Sequence, residues 1–123
     1  DDKAWLAPMI KRSDNDSATR IADRLGPRPM YRLARAAGMK HFRYTRPWGH
    51  SSIDAAEQAR FFFHLERYLP ERHEDYALYL LSHIVRSQRW GIAELERPDW
   101  KLYFKSGWGS GTGAPARTGP RHS

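Results

Sequence analysis

Apolar residues recur at intervals of three and four along most of the chain, and proline or glycine separates the segments that carry this period. Ala18, Ile21, Ala22 and Leu25 are one example, and Gly26 ends that run. Such a period is typical of amphipathic helices with one buried face. The pattern predicts five helices, at about residues 4–11, 16–25, 30–37, 55–69 and 71–86.

Three segments lack the helical period. Residues 39–50 show neither a helical nor a strand pattern, so we expect a loop there. Trp100–Phe104 alternate in character and are rich in aromatic residues, which predicts a β-strand that ends at Lys105-Ser106-Gly107. Beyond Gly113 the chain has no apolar residue apart from alanine, and this composition predicts a disordered tail.

These elements predict a mainly α-helical chain with three parts. Residues 1–99 form a helical subdomain, residues 100–113 form a strand and a glycine-rich turn, and residues 114–123 form the tail. A chain of 123 residues is long enough for one domain with a modest hydrophobic core.

The composition of the chain narrows its possible functions. It has no cysteine, which excludes disulfides, thiolate metal sites and a cysteine nucleophile. Its net charge is +7, but the arginines are spread along the helices between acidic residues, so we expect a solvated surface and no nucleic-acid partner. No apolar run is long enough to span a membrane, and no signal peptide is visible.

Two short stretches carry residue types with a chemical use. In Lys105-Ser106-Gly107, an ammonium and a hydroxyl can hold a carboxylate while glycine lets a ligand lie against the backbone. The backbone N–H of Trp108, the next residue, is expected to point at a reacting carbonyl oxygen. The same residues could be only a strand that enters a glycine-rich turn. Ser13-Asp14-Asn15 could likewise be only the cap of the helix that follows.

Taken together, Ser13-Asp14-Asn15 and Lys105-Ser106-Gly107 resemble two of the three motifs of class A β-lactamases and penicillin-binding serine enzymes. Their order and separation match that family. The turn at Ser87-Gln88-Arg89-Trp90-Gly91 and the helix start at residues 51–60 are similar to serine hydrolases of the actinobacterial β-lactamase-like branch. The resemblance covers about residues 4–113, and it implies part of an α+β fold, namely its helical subdomain joined to the first strand of its sheet domain.

The resemblance also implies roles for individual residues. The hydroxyl of Ser13 would relay a proton to the leaving nitrogen, and Lys105 would polarise Ser13 and attract an anionic substrate. The backbone N–H of Trp108 would face the oxyanion. The implied substrate-binding residues are Asn15, Ser106 and Gly107, and Asp14 would tie the loop down.

The sequence departs from the family pattern in three places. No lysine has a serine three positions before it, so the nucleophilic Ser-x-x-Lys is absent and is expected upstream of Asp1. No glutamate occurs between Asp23 and Glu57, where the family holds the residues that position the deacylating water. The strands and helix expected after Gly113 are missing, and our hypothesis for that difference is a frameshift.

The function expected from the resemblance is therefore partial. The chain would be a fragment or subunit of a serine hydrolase that forms an acyl-enzyme with β-lactams or D-Ala peptides, and it would be inactive alone. The resemblance implies a secreted or extracytoplasmic location and a small β-lactam or cell-wall peptide substrate. The alternative is a non-catalytic helical module that binds a ligand or a protein. An upstream Ser-x-x-Lys would favour the enzyme over the binding module.

The sequence predicts no cofactor and no metal. Residues 109–114 fit a G-x-G-x-x-A pattern, but no helix and no acidic residue follow, which argues against dinucleotide binding. Lys105 precedes the glycines, the reverse of their order in a phosphate-binding loop. No two of the six histidines are four residues apart, and His73-Glu74 lacks the second histidine of a zinc helix.

Overall fold

The computed structural model describes residues 2–95 and 97–108, and this part of the chain is mainly helical. The helical fold class predicted from the sequence is therefore confirmed. The described residues form five α-helices, which are α1 (Lys3–Arg12), α2 (Asn15–Leu25), α3 (Pro27–Ala36), α4 (Ala55–Phe63) and α5 (Glu71–Ser82). Short 3-10 turns lie at Trp48–His50, Leu65–Tyr68, Arg86–Gln88 and Gly91–Leu95. None of the described helices combines the length and the apolar character needed to cross a bilayer.

The chain divides into two compact units. The first, which we call the terminal unit, comprises Asp1–Ala18 and Asp75–Ser123. The second, the central unit, comprises Thr19–Glu74. The buried apolar residues of the described part are mostly small: Ala22, Ala34, Leu80, Ile84 and Ala93. The core is therefore as modest as the length of the chain suggests.

The junction between α1 and α2 is built by two adjacent residues with different tasks. Ser13 adopts the left-handed conformation (φ 56°, ψ 42°) that ends α1. The N–H of Asp14 donates to the carbonyl of Pro8 (3.1 Å), which satisfies one of the free carbonyls at the end of that helix. The carboxylate of Asp14 accepts the backbone N–H of Ser17 (3.0 Å) and also its hydroxyl, so Asp14 caps α2. Ser13 is thereby fixed between two helices.

Two helices of the central unit have other boundaries than predicted. α3 begins at Pro27 instead of Met30, because proline suits the first turn of a helix, where its missing N–H is not needed. α4 ends at Phe63, and part of the predicted continuation to Leu69 forms a 3-10 turn. The predicted loop at 39–50 is confirmed for the most part, although Arg43 pairs with Ser52 in an isolated antiparallel bridge.

The last helix, α5, is also shorter than predicted. It ends at Ser82 and not at Arg86. Beyond this end the N–H of Val85 donates to the carbonyl of Lys11 (2.9 Å), at the end of α1. This bond replaces a helical one, and it holds the turn at Arg86–Gln88 close to the α1–α2 junction.

The strand predicted at Trp100–Phe104 is not formed, and the described residues contain no β-strand. A strand needs a neighbour that pairs with its backbone N–H and C=O groups. The N–H of Phe104 donates instead to the carbonyl of Leu81 (3.2 Å) near the end of α5. The prediction of a strand that carries Lys105 is therefore wrong for the described residues, and an irregular segment anchored on α5 carries it instead. The predicted turn beyond Trp108 and the predicted tail at 114–123 lie outside the described residues.

Candidate functional site

Ser13 and Lys105, from the two sequence motifs, meet in the terminal unit. Nζ of Lys105 donates to Oγ of Ser13, although the two residues are 92 positions apart in the chain. The same Nζ donates to the carbonyl oxygen of Ser106 (2.8 Å). The left-handed turn at Ser13 holds the backbone on one side of this contact. On the other side, the bond from the N–H of Phe104 to α5 holds the backbone next to Lys105.

Gln88 completes a hydrogen-bonded chain with these two residues. Oγ of Ser13 donates to Oε1 of Gln88 (3.0 Å), and Nε2 of Gln88 donates to the carbonyl of Arg12 (2.7 Å). Gln88 is buried, with 7% of its surface exposed. No role for Gln88 was predicted from the sequence, although the Ser-Gln-Arg-Trp-Gly turn that contains it was part of the resemblance. That turn was the signal that could have identified it.

The charge at this site is a half-buried cation. Burial lowers the pKa of the Lys105 ammonium, because desolvation disfavours the charged form. In the described part of the chain the hydrogen bonds of Lys105 go to neutral oxygens. A half-buried ammonium held by neutral groups favours the approach of an anion, since a nearby negative charge stabilises its charged form.

Two polar atoms in this region are buried without a hydrogen-bond partner among the described residues. They are Oγ of Ser106 and Nε1 of Trp90. The Trp90 ring also meets the ring of Trp108 edge-on, with 6.5 Å between the ring centroids. A buried hydroxyl without a partner is costly, so a ligand oxygen within reach of Ser106 would be stabilising.

The other residues that the sequence analysis selected are placed differently. Asn15 is the first residue of α2 and is exposed. Gly107 is exposed, and a Cβ built on it would meet nothing within 4 Å, so the described residues give no steric reason for glycine there. The structure thus brings Lys105 into contact with the Ser13 hydroxyl and the Ser106 carbonyl, while Asn15, two positions after Ser13, is exposed.

The central unit contains a cluster of possible metal ligands that the sequence analysis did not find. Ligand atoms of His41, Asp54 and Glu57 lie within 4.8 Å of one another. Both carboxylates have structural tasks there, because Asp54 caps α4 by accepting the N–H of Glu57 (3.0 Å), and Glu57 accepts the N–H groups of Lys40 (2.7 Å) and His41 (3.0 Å).

Those hydrogen bonds set the ionisation of the two acids. The backbone N–H of Glu57 is the main cause that lowers the pKa of Asp54. Burial alone would raise the pKa of Glu57, but the bonds from His41 and Lys40 outweigh it and the pKa is lowered. The cluster therefore has a structural explanation, because its hydrogen bonds attach the loop at 40–41 to α4. The spacing Asp54-x-x-Glu57 was the sequence signal for these two carboxylates, because that spacing is typical of a helix cap.

Comparisons with protein-family models, with curated proteins and with solved structures found no match to this chain. The two motifs and the contacts between them therefore remain the basis for inferring a function.

Proposed function

We propose that this chain is part of a β-lactamase-like serine hydrolase, and that Ser13, Lys105 and Ser106 hold and protonate an acyl substrate of the β-lactam or D-Ala-peptide type. The observation that carries the proposal is the hydrogen bond from Lys105 to Ser13, which joins two motifs 92 residues apart. Each motif alone has a simple structural explanation. A direct contact between their functional groups supports the shared role that the resemblance implies.

The first task in this proposal is to hold the substrate carboxylate. The ammonium of Lys105 supplies the positive charge, and the hydroxyl of Ser106, which has no partner among the described residues, supplies a hydrogen-bond donor. Such charge-assisted hydrogen bonds are shorter and stronger than those between neutral groups. The carboxylate would also offset the desolvation that lowers the pKa of Lys105.

The second task is to deliver a proton to the leaving nitrogen. The ammonium of Lys105 gives a proton to Oγ of Ser13, Oγ passes its own proton to the nitrogen, and Lys105 is left as a neutral amine. The hydrogen bond from Nζ to Oγ already provides the path for the first transfer. Oγ of Ser13 donates its proton to Gln88, so the hydroxyl must rotate away from Gln88 to donate to a substrate.

The third task, nucleophilic attack, has no candidate in these 123 residues, since no lysine follows a serine by three positions. The chain would supply the carboxylate site, the proton relay and, through the N–H of Trp108, one donor to the oxyanion. A separate Ser-x-x-Lys segment would supply the nucleophile and the other donor. We therefore expect no β-lactam turnover by the isolated chain.

The experiment begins with translation of the genomic reading frame upstream of the codon for Asp1. We expect a Ser-x-x-Lys motif there, and the continuous protein should become labelled by a fluorescent penicillin. Lys105→Ala should reduce that labelling strongly, whereas Lys101→Ala, a change of an exposed lysine in the same segment, should not. An upstream frame without Ser-x-x-Lys would contradict the proposal and favour the non-catalytic binding module.

A further inference from the structure

The central unit contains an open cavity of about 540 Å³ that α3 lines along one side. Its lining residues are Pro27, Arg28, Tyr31, Arg32 and Arg35. Three of these five residues are arginines, and none of the lining residues that the structure describes is acidic. This cavity plays no part in the function proposed above, which uses residues of the terminal unit.

The three arginines lie on one face of α3 because they are separated by four and three residues. With a rise of about 1.5 Å per residue, Arg28 and Arg35 are about 10 Å apart along the helix axis. All three side chains are exposed. They can therefore reach a common ligand along roughly two turns of the helix.

Nothing in the described part of the chain neutralises this arginine row. No carboxylate there is paired with Arg28, Arg32 or Arg35. The first turn of α3 has no acidic residue, and residues 20–46 carry seven arginines and one lysine against a single acid, Asp23. Like charges four residues apart destabilise a helix, and the positive end of the helix dipole lies beside Arg28. An anion in the cavity would relieve this repulsion.

We propose that the α3 cavity binds a soluble anion that carries two or more linked phosphate groups. A guanidinium group binds phosphate through two parallel N–H donors, and a row of three groups fits linked phosphates better than a single one. The contacts must come from side chains, because Pro27 and Pro29 remove two N–H groups from the first turn of α3. The hydroxyl of Tyr31 is bonded to the backbone of Tyr44, so this residue contributes its ring to the wall.

The test is isothermal titration of the purified chain with sodium pyrophosphate at about 0.1 M ionic strength, where exposed charges are screened beyond about 10 Å. We expect saturable binding at one site per chain, and at least fivefold weaker binding of orthophosphate. The triple variant Arg28→Gln/Arg32→Gln/Arg35→Gln should bind pyrophosphate at least tenfold more weakly. Vesicles with anionic phospholipids should compete no better than orthophosphate does.

The matched control removes the same charge from exposed positions of the central unit outside the cavity, through Arg60→Gln/Arg67→Gln/Arg72→Gln. The affinity of this control variant for pyrophosphate should stay within twofold of that of the original chain. A single Arg32→Lys variant keeps the charge but loses the two-donor geometry, so it should bind pyrophosphate severalfold more weakly. This variant still tests the proposal if the triple variant fails to fold. The proposal is overturned by the absence of saturable binding, by an equal loss in both triple variants, or by tighter binding of single-stranded RNA or vesicles than of pyrophosphate.

Discussion

At the scale of single residues, the hydroxyl of Ser13 both accepts a hydrogen bond and donates one. It accepts from Nζ of Lys105 and donates to Oε1 of Gln88. Gln88 in turn holds the carbonyl of Arg12 through Nε2. This arrangement fixes the orientation of the Ser13 hydroxyl, with its proton directed away from Lys105.

Replacement of Gln88 tests how much this network stabilises the chain. Gln88→Leu removes both hydrogen bonds and leaves the Arg12 carbonyl without this partner, so we expect unfolding in urea to require about 1–3 kcal/mol less. Gln58→Leu, which changes a half-buried glutamine of the central unit, is the control and should cost less. Equal losses in the two variants would show that the Gln88 bonds add nothing to stability.

The ionisation of Lys105 gives a pH-dependent test of the same site. Its pKa in the folded chain lies below the ordinary value of 10.5. At a pH between the folded pKa and 10.5, the unfolded chain therefore binds more protons than the folded chain does. Stability gained from this group must therefore increase with pH in that window. We expect the free energy of unfolding, relative to that of Lys105→Gln, to rise between neutral pH and about pH 10.

The control for this measurement is Lys101→Gln, which changes an exposed lysine of the same segment. The difference in unfolding free energy between the original chain and this variant should stay nearly constant over the same pH range. A constant difference for Lys105→Gln as well would contradict a half-buried Lys105.

Only part of this residue network was accessible from the sequence. Ser13 and Lys105 belong to short motifs that are linked by the family resemblance, which their order and separation match. For Gln88 the only signal was the resemblance of the turn that contains it, since a glutamine in a polar turn is ordinary and its partner Ser13 is 75 positions away. The position of Asn15 likewise depends on the exact start of α2, and periodicity does not determine helix ends within one or two residues.

At the scale of elements, the junction between α1 and α2 determines the position of Ser13. The left-handed Ser13 ends α1, and the carboxylate of Asp14 caps α2. Asp14→Ala removes that cap, and we expect it to destabilise the chain by about 0.5–2 kcal/mol in urea unfolding. Asp14→Ser keeps a capping oxygen and should restore most of the loss. If Asp14→Ser were as unstable as Asp14→Ala, the cap would not be the source of the effect.

The helices were predictable and the strand was not, for one physical reason. A helix satisfies its backbone through neighbours four residues away, so the local pattern of apolar residues around Leu25 or Leu80 is sufficient. A strand needs a distant partner, and the alternation at Trp100–Phe104 says nothing about whether one exists. In the described residues the N–H of Phe104 is satisfied by the carbonyl of Leu81 at the end of α5 instead.

At the scale of the whole molecule, the positive charge is unevenly distributed along the sequence. The spread of the arginines between acidic residues suggested a solvated surface, yet in residues 20–46 basic residues outnumber acidic ones by eight to one. Sequence alone shows this excess, but only the folded helix shows that three of the arginines share a cavity. The terminal unit holds its own half-buried cation, Lys105, so each unit presents a distinct candidate site for an anion.

The central claim is that Lys105, together with Ser106, holds the carboxylate of an acyl substrate. It is tested most directly by titrating the 123-residue chain with benzylpenicillin and following tryptophan fluorescence, since Trp90 and Trp108 pack together in the same unit. We expect saturable binding without turnover, and affinity at least tenfold lower for Lys105→Ala, the effect of losing about 1.4 kcal/mol. Penicillin methyl ester should bind as weakly, and Lys101→Ala should bind normally. Equal affinities of the original chain and Lys105→Ala, or of the acid and its ester, would contradict the claim.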